Sequence, residues 1–334
     1  MKGITIATFI SIHECENKDF FGLIRFLKRY FEIETIVFNE KELSTELKEH
    51  ENIKEYITPN MTKYKRIQIL LNKAKFENIL CIDNDIVPDK LEIVNFIQEC
   101  LSTDYSIAWG KIKAQKIRGF IPKLINIDKN LSHNYIRPML WKLNIGISLP
   151  GQLFMINRKY LEGQLPNIDT VYDDLMIGAI VHANNFPVYF TKEVLGYENP
   201  KRNIIELLKQ RIRWAKGLAE TIFYNRKNKS LPYIFIHGFS FNLLWIPIYL
   251  IIFQIFMANL ICGLIAITFI IYLLSNKKPK NIIWAIIYMV VFPFVYFVWG
   301  CSLFLNLIII AINNNKKIVN KKSKTKYFNI IIKD

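Results

Sequence analysis

The chain has 334 residues, carries a formal net charge of +16 and is 51% hydrophobic. This apolar content excludes a disordered protein, which would have too few apolar side chains to form a core. Five cysteines in a chain of this length exclude a small scaffold stabilised mainly by disulfides.

Short β-branched runs alternate with stretches of helical periodicity over the first 230 residues. The predicted strands cover residues 4–11, 33–38 and 78–82, and the predicted helices cover residues 20–30, 63–74 and 89–100. This order is typical of a mostly parallel sheet with helices on both faces. Such α/β sheets bind ligands at the carboxyl ends of their strands. Residues 110–150 contain scattered Gly, Pro and Lys, and no period persists there.

Two carboxylates follow the third predicted strand at i, i+2 spacing. In extended geometry Asp83 and Asp85 leave the same face of the chain. Paired carboxylates are hard oxygen ligands, suited to Mg²⁺ or Mn²⁺ bound to a diphosphate. A turn rich in Asp and Asn would show the same residues without any ligand. The sequence leaves both interpretations open.

A second acidic pair, Asp173 and Asp174, precedes a stretch with apolar residues at helical spacing. Acids at a helix start are stabilised by the helix dipole, so capping alone would explain both. A carboxylate at this position could also act as a general base towards a sugar hydroxyl. Because two acids are present, one can cap the helix while the other takes part in catalysis.

One apolar stripe runs through residues 203–225 and predicts an amphipathic helix that lies on a membrane surface. The stripe consists of Ile204, Leu208, Ile212, Ala215, Leu218 and Ile222. Three polar or aromatic residues of this helix need another explanation, namely Gln210, Arg213 and Trp214. A guanidinium group can bind a diphosphate through two parallel hydrogen bonds, and an indole can stack on a sugar face.

Two later stretches, residues 231–275 and 281–315, contain no Asp, Glu, Lys or Arg. A helix that crosses a bilayer needs about 20 apolar residues, whereas a core helix of a soluble protein carries a polar face. We predict a transmembrane hairpin over residues 231–275. Residues 281–315 would form a tight second hairpin, broken near Pro293 or Gly300, or a single span. The chain would then cross the membrane four times or, as the alternative, three times.

Lys and Arg cluster at residues 226–229, 277–280 and 316–326, beside the apolar stretches. Short basic loops stay on the cytoplasmic side. We therefore expect a multi-pass protein of the cell membrane, with a cytoplasmic catalytic domain and a basic cytoplasmic tail over residues 316–334. Because the basic excess lies mainly beside apolar segments, it indicates a lipid bilayer as partner and argues against nucleic acid.

In order and rough spacing, these motifs resemble glycosyltransferase family 2, especially its membrane-embedded branch of hyaluronan, chitin and cellulose synthases. The resemblance rests on the D-x-D at 83–85, the acidic pair at 173–174, the Q-x-x-R-W at 210–214 and the apolar segments that follow. It implies an α/β fold with a GT-A-like, Rossmann-type nucleotide-sugar-binding domain over residues 1–200. An interface helix over residues 201–229 and C-terminal transmembrane helices would follow.

The resemblance also implies an inverting transfer from a nucleotide sugar to a growing polysaccharide or another membrane-associated acceptor, saccharide or lipid-linked. Asp174 would be the catalytic base, and Asp85 would hold Mg²⁺ or Mn²⁺. The donor would contact Asp83, Asp85 and Arg213. The acceptor side would consist of Gly151, Gln152, Asp173, Gln210 and Trp214.

The nucleotide and the reaction type stay open at this point. The family resemblance favours a UDP-linked donor, but the second predicted strand ends in Asn39 and Glu40, where the family usually has paired Asp. One alternative function is the addition of a single sugar to a lipid acceptor, as ceramide glucosyltransferases do. The other is a catalytically silent membrane scaffold.

Overall fold

A mixed β-sheet forms the centre of the molecule. The structure, a computed structural model, describes residues 2–11, 17–41, 43, 53–238, 253, 257, 260–276 and 278–330. These residues include eight strands of one sheet: β1 Gly3–Phe9, β2 Glu32–Asn39, β3 Ile53–Ile57, β4 Asn78–Asp83, β5 Ile86–Pro88, β6 Ile107–Ala114, β7 Leu153–Asn157 and β8 Val188–Glu198. The three strands expected from the sequence are confirmed, with ends that differ by one or two residues.

The strand order is β3-β2-β1-β4-β7-β6-β8-β5. The first four strands of this order are parallel to one another. β7 is antiparallel to both of its neighbours, β4 and β6, and β5 is antiparallel to β8. β6 and β8 are parallel to each other. The α/β class is therefore confirmed, with a parallel half that matches the alternation seen in the sequence.

Helices cover both faces of the sheet and continue beyond it. They are α1 Lys18–Leu27, α2 Lys63–Lys73, α3 Lys90–Ser102, α4 Phe120–Leu131, α5 Arg137–Lys142, α6 Arg158–Leu161, α7 Asp173–Ala183, α8 Ile204–Tyr224, α9 Leu231–Gly238, α10 Leu260–Leu274 and α11 Ile282–Ile330. A π-helical turn, Ser132–Ile136, joins α4 to α5, and a 3-10 turn, Pro279–Asn281, precedes α11. The region from 110 to 150, which shows no period in the sequence, thus contains the end of β6, α4 and α5.

Alternate side chains of each central strand enter two separate cores. On β1, Ile4 and Ile6 pack with the apolar faces of α1 and α3, whereas Ala7 packs with α2 and α7 on the other face. This arrangement follows from the period of two along a strand. It fixes the register of the parallel strands, because a slip by one residue would move every side chain to the wrong face.

Helix α8 begins with an N-terminal cap, in which the side chain of Asn203 accepts a hydrogen bond from the backbone N–H of Glu206 at 2.9 Å. The helix packs against α7, α9 and α11. Its buried face is centred on Leu207, Arg211, Ala215 and Leu218, whereas Ile212 of the expected stripe is 43% exposed. The predicted helix is confirmed, but its main apolar contacts are to other helices.

The last helix, α11, differs from the hairpin that we favoured for residues 281–315. Residues 282–330 form one continuous helix that includes Pro293, so the hairpin expected within 281–315 is wrong. A proline removes one backbone hydrogen bond, which neighbouring residues of a long apolar helix can tolerate. Within the described residues, one helix, Pro279–Asn313, is long and apolar enough to cross a bilayer, with a mean hydropathy of 2.3. Of the hairpin predicted over 231–275, residues 239–252, 254–256 and 258–259 lie outside the described part, so this hairpin stays a prediction.

Candidate active site

The carboxyl end of β4 carries the first acidic pair. Asp83 is the last residue of β4, and its backbone N–H donates to the carbonyl of Gln152 at 2.8 Å, which ties this strand end to the start of β7. The turn that follows is held by the side-chain amide of Asn17, which donates to the carbonyl of Ile86 at 3.1 Å. Asp85 lies in this turn and is exposed. The two carboxylates thus lie at the ligand-binding edge expected for an α/β sheet.

A buried lysine joins the two acidic pairs. The ammonium group of Lys63, the first residue of α2, lies 2.6 Å from Oδ1 of Asp83 and 3.5 Å from Oδ2 of Asp173. It also donates to the carbonyl of Gly151. Burial opposes the charge of Lys63, but Asp173 and Asp83 outweigh it and hold the lysine pKa above its usual value. Lys63 therefore stays charged and links β4, β7 and α7 at the site.

The second acidic pair begins α7. Oδ1 of Asp174 accepts a hydrogen bond from the backbone N–H of Leu175 at 2.8 Å. Burial and, to a smaller extent, the charge of Asp173 raise the pKa of Asp174 to about 7, against the opposing charges of Arg137 and Lys63. The backbone of Gly151 approaches closely, since a Cβ at this glycine would lie 3.1 Å from Oδ2 of Asp174. Asp174 is thus a carboxylate that changes charge near neutral pH.

Burial also raises the pKa of Asp83 to about 7, against the effect of Lys63.

A second cation, Arg137, lines the same cavity, and its charge acts on Asp174. Nη1 of Arg137 lies 3.3 Å from Nε2 of His133. Burial and the charge of Arg137 lower the pKa of His133 well below its usual value, so this imidazole is neutral.

Helix α8 brings Gln210, Arg213 and Trp214 to the opposite wall of the cavity. The guanidinium carbon of Arg211 lies 4.3 Å from the centre of the Trp214 indole ring. Arg211 is buried and pairs with Asp128 of α4 at 2.6 Å. The contact over the ring is a cation–π interaction, which fixes the orientation of the indole.

Asp128 also accepts hydrogen bonds from two tyrosines of α11, at 2.7 Å from Tyr288 and 2.5 Å from Tyr296. One carboxylate therefore joins α4, α8 and α11. We call Asp128, Arg211, Tyr288 and Tyr296 the Asp128 cluster. The sequence motifs indicated none of its members, because Asp128 lies 83 residues from Arg211 and 168 residues from Tyr296.

A third ion pair lies beside Gln152. Nζ of Lys129 is 2.5 Å from Oε1 of Glu198 at the end of β8, and Nε2 of Gln152 donates to Oε2 of the same glutamate at 3.0 Å. Burial lowers the pKa of Lys129, although Glu198 opposes this effect. Lys129 and Glu198 could not be identified from the sequence, since neither belongs to a motif.

These groups surround one cavity of about 450 Å³. All nine residues proposed from the sequence line it: Asp83, Asp85, Gly151, Gln152, Asp173, Asp174, Gln210, Arg213 and Trp214. The sequence motifs, which are far apart in the chain, are therefore brought together at one place. Their individual roles stay predictions.

The family model described as glycosyl transferase family group 2 matches residues 78–312, well over half of the chain. The chain belongs to glycosyl transferase family group 2. This membership confirms the expected enzyme class, a glycosyltransferase, and supports the GT-A-like fold expected from the motifs. No curated protein sequence matches the chain.

Solved structures of other glycosyltransferases are similar to this family 2 chain at low sequence identity. TarS of S. aureus has 14% identity and a TM-score of 0.45 over 72% of this chain and 44% of its own, so the chain spans less than half the length of TarS. Glucosyl-3-phosphoglycerate synthase of Mycobacterium tuberculosis, in complex with phosphoglyceric acid, has 13% identity and a TM-score of 0.48 over 66% of this chain and 79% of its own. The mannosyltransferase PcManGT of Pyrobaculum calidifontis, in complex with GDP-Man and Mn²⁺, has 14% identity and a TM-score of 0.49 over 90% of this chain and 86% of its own.

The family 2 cavity has one exposed carboxylate whose chemistry suits a divalent cation. Among the described residues, no three His, Cys, Asp or Glu side chains group closely enough to hold a metal ion by themselves. Asp83 is paired with Lys63, whereas Asp85 is an exposed carboxylate on the cavity wall. Mg²⁺ is commonly bound by one or two carboxylates, with substrate phosphates and water as its other ligands. Asp85 fits that donor set.

Proposed function

We propose that this family 2 glycosyltransferase transfers a sugar, with inversion, from a nucleotide-sugar donor to an acceptor hydroxyl, and that Asp174 is the base. The observation that carries the proposal is the position of Asp174, on the cavity wall and with its pKa raised to about 7 by burial. A general base is most effective when its pKa lies near the working pH.

In the proposed reaction, a carboxylate oxygen of Asp174 accepts the proton of the acceptor hydroxyl. The hydroxyl oxygen then bonds to the anomeric carbon, while the bond from that carbon to the diphosphate oxygen breaks and its electron pair leaves with the diphosphate. Arg213 would stabilise the charge that develops there, because a guanidinium fork matches phosphate oxygens. A Mg²⁺ or Mn²⁺ ion at Asp85 would supply further Lewis-acid stabilisation of the diphosphate when bound.

The acceptor would enter from the α8 side of the cavity. Gln210 and Trp214 line this wall, and Trp214 has the apolar face needed to stack on a sugar ring. Gly151 lies beside Asp174, where the acceptor hydroxyl must come for proton transfer, and Gln152 lines the same cavity. Asp173 would contribute mainly by orienting Lys63 and by raising the pKa of Asp174.

We also propose that the acceptor is membrane-associated, as in the Q-x-x-R-W synthase branch, and that the chain is integrated in the cell membrane with its catalytic domain cytoplasmic. One side of α11 packs on the domain through fully buried residues such as Tyr288 and Phe292, whereas Val290 and Phe297 on its other side are 75% and 61% exposed. Large exposed apolar surfaces of this kind mark membrane or protein contacts. The same helix places Tyr296 in the active-site cavity.

The synthase resemblance favours a growing polysaccharide as the acceptor. The second candidate is the addition of one sugar to a lipid acceptor, and the apolar helix beside the cavity favours it. Purified protein in detergent should first be tested for hydrolysis of a panel of UDP-, GDP- and other nucleotide sugars with Mn²⁺ and with Mg²⁺. The product length on a defined acceptor then separates the two candidates. If the protein shows neither hydrolysis nor transfer with either Mn²⁺ or Mg²⁺, the proposed function is contradicted.

A further inference from the structure

A second cavity, of about 500 Å³, lies where the start of α11 meets β6 and α4. Four lysines line it: Lys113 of β6, Lys123 of α4, Lys278 just before the 3-10 turn that precedes α11, and Lys280 within that turn. None of its described lining residues is Asp or Glu. The cavity therefore collects positive charge that no carboxylate within its walls offsets. We call it the basic cavity.

The basic cavity is separate from the active site, although both use α4. Asp128 and Lys129 face the active site, whereas Lys123, Asn126 and Asn130 face the basic cavity. Their spacing along the helix places the two sets on opposite faces of α4. A ligand of the basic cavity would thus lie outside the space used by donor and acceptor.

The remaining polar lining consists of amides: Asn126, Asn130, Asn276 and Asn281. Ammonium and amide groups are hydrogen-bond donors, and charge-assisted bonds to phosphate oxygens are among the strong ones. Since the walls offer many donors and no anionic acceptor, the chemistry of the cavity fits an anion with several oxygens, such as a phosphate group.

The basic cavity also borders apolar surface. Nζ of Lys123 lies 4.2 Å from the ring centre of Trp284, and Phe120 packs edge-on against the same indole at 5.9 Å. Next to Trp284 on α11, Ile283 is 69% exposed, and Phe269 of α10 is 59% exposed. Trp residues are enriched where a membrane meets water, with Lys and Arg at the headgroup level. The cavity thus combines a basic wall with an adjoining surface suited to acyl chains.

We propose that the basic cavity binds the phosphate headgroup of an anionic membrane lipid, whose acyl chains lie along the exposed side of α11. This inference rests on the membrane association proposed above. A free phosphate would satisfy the lysines and amides alone, whereas the lipid also covers the exposed apolar residues beside Trp284. Juxtamembrane lysines attract anionic lipids in this way.

The test measures lipid binding to the full chain in a neutral detergent, by calorimetric titration with short-chain phosphatidylglycerol, short-chain phosphatidylcholine or inorganic phosphate. We expect phosphatidylglycerol to bind at least tenfold more tightly than either of the others. The double variant Lys123→Gln/Lys280→Gln should bind phosphatidylglycerol about 30-fold more weakly, since each lysine near a membrane surface contributes about 1 kcal/mol. A second double variant, Lys113→Gln/Lys278→Gln, should show a similar loss of affinity. Because it changes two other lysines, misfolding of the first variant could not explain a loss seen in both.

The matched control is Lys73→Gln/Lys90→Gln, which removes two exposed lysines that do not line the basic cavity. Its affinity should stay within about twofold of that of the unmodified chain. Equal binding of the two lipids, or an equal loss in the control, would overturn the proposal. Equal binding of inorganic phosphate and phosphatidylglycerol would overturn the lipid as ligand and leave a phosphate site.

Nucleotide-sugar hydrolysis measured on the same samples separates this inference from the proposed function. We expect the two lysine variants to hydrolyse the donor like the unmodified chain, because their lysines lie outside the active-site cavity. Hydrolysis without selective phosphatidylglycerol binding would overturn the lipid site alone. Lysine-dependent lipid binding without any hydrolysis would count against the proposed function alone.

Discussion

The substitution Asp174→Asn tests the proposed base directly. We predict a loss of at least about 100-fold in turnover, because general-base assistance typically contributes about 10²–10⁴-fold. This corresponds to about 2.7 kcal/mol or more of transition-state stabilisation. Asn has the same shape and caps a helix about as well as Asp, and its side-chain oxygen can still accept from Leu175. A purely structural role of Asp174 would therefore make the change mild.

Asp173→Asn is the matched control, since it alters the neighbouring acid and leaves Asp174 in place. It weakens the hold on Lys63, whose ammonium group is 3.5 Å from Asp173, so we expect a smaller loss. It should also move the pH profile. The negative charge of Asp173 raises the pKa of Asp174, and its removal makes ionisation of Asp174 easier. The acidic limb, which we expect near pH 7 in the unmodified chain, should shift to lower pH.

The assay is release of nucleotide at saturating donor, measured from about pH 5.5 to about pH 8.5. Donor affinity should be nearly unchanged in Asp174→Asn, because Asp85 and Arg213 remain. Comparable turnover of the unmodified chain and Asp174→Asn would refute the base. A larger loss in Asp173→Asn than in Asp174→Asn would assign the base to Asp173. An acidic limb that moves to higher pH in Asp173→Asn would contradict the electrostatic argument.

Three further predictions concern the cation, the Asp128 cluster and the membrane-facing helix. Asp85→Ala should abolish cation-dependent transfer without lowering the melting temperature, and full activity of the unmodified chain in excess EDTA would exclude the cation. Asp128→Ala should lower the free energy of unfolding by about 3 kcal/mol, because it leaves buried Arg211 unpaired, whereas Tyr288→Phe should lower it by about 1 kcal/mol. Denaturant unfolding in detergent measures both, and equal small effects would contradict the shared cluster. Val290→Asp should reduce flotation of the protein with liposomes at unchanged melting temperature, and unchanged flotation would exclude this side of α11 as a membrane contact.

Elements of the α/β half such as β4 and α2 could be predicted from the sequence, because apolar runs and helix caps within a short segment determine them. β4 is a buried run of apolar residues that ends at an acid, and α2 shows helical spacing after Thr62, whose hydroxyl accepts from the backbone N–H of Lys65. Both elements have the predicted bounds to within a residue. The region from 110 to 150 could not be predicted, because α4 and α5 are separated by a π-helical turn that breaks the period.

The candidate site was predictable only where residues form recognisable spacings. Asp83 with Asp85, and Asp173 with Asp174, are neighbours in sequence, so their pattern could be read. Lys63 reaches Asp83 across 20 residues and the carbonyl of Gly151 across 88. Contacts of this kind depend on how β4 and β7 are paired, which the sequence of either strand does not reveal.

The incorrect hairpin has a physical cause as well. A run of 35 residues without charge fits one long helix or two short ones, and composition cannot separate them. The preference for a hairpin came from placing both flanking lysine clusters on one side of the membrane. Instead, Tyr288, Phe292 and Trp299 are buried where the single helix α11 packs against α4 and α8. Packing against the domain, which is invisible in the composition, decided the conformation.

The charges of the active-site cavity give an independent reason to expect a divalent cation. Its described lining contains six carboxylates and six Lys or Arg side chains, so the walls carry no excess of positive charge when all six carboxylates are ionised. Three of the carboxylates, Asp83, Asp128 and Glu198, already pair with Lys63, Arg211 and Lys129. A donor diphosphate brings at least two negative charges into a half-buried space, where an uncompensated charge is costly. Arg213 is the lining cation proposed above to bind the diphosphate, whereas Lys63, Arg211 and Lys129 could turn to it only by leaving their carboxylates. An added divalent cation at exposed Asp85 offsets the new charge without breaking any pair, and for this reason Asp85→Ala should impair donor binding as well as turnover.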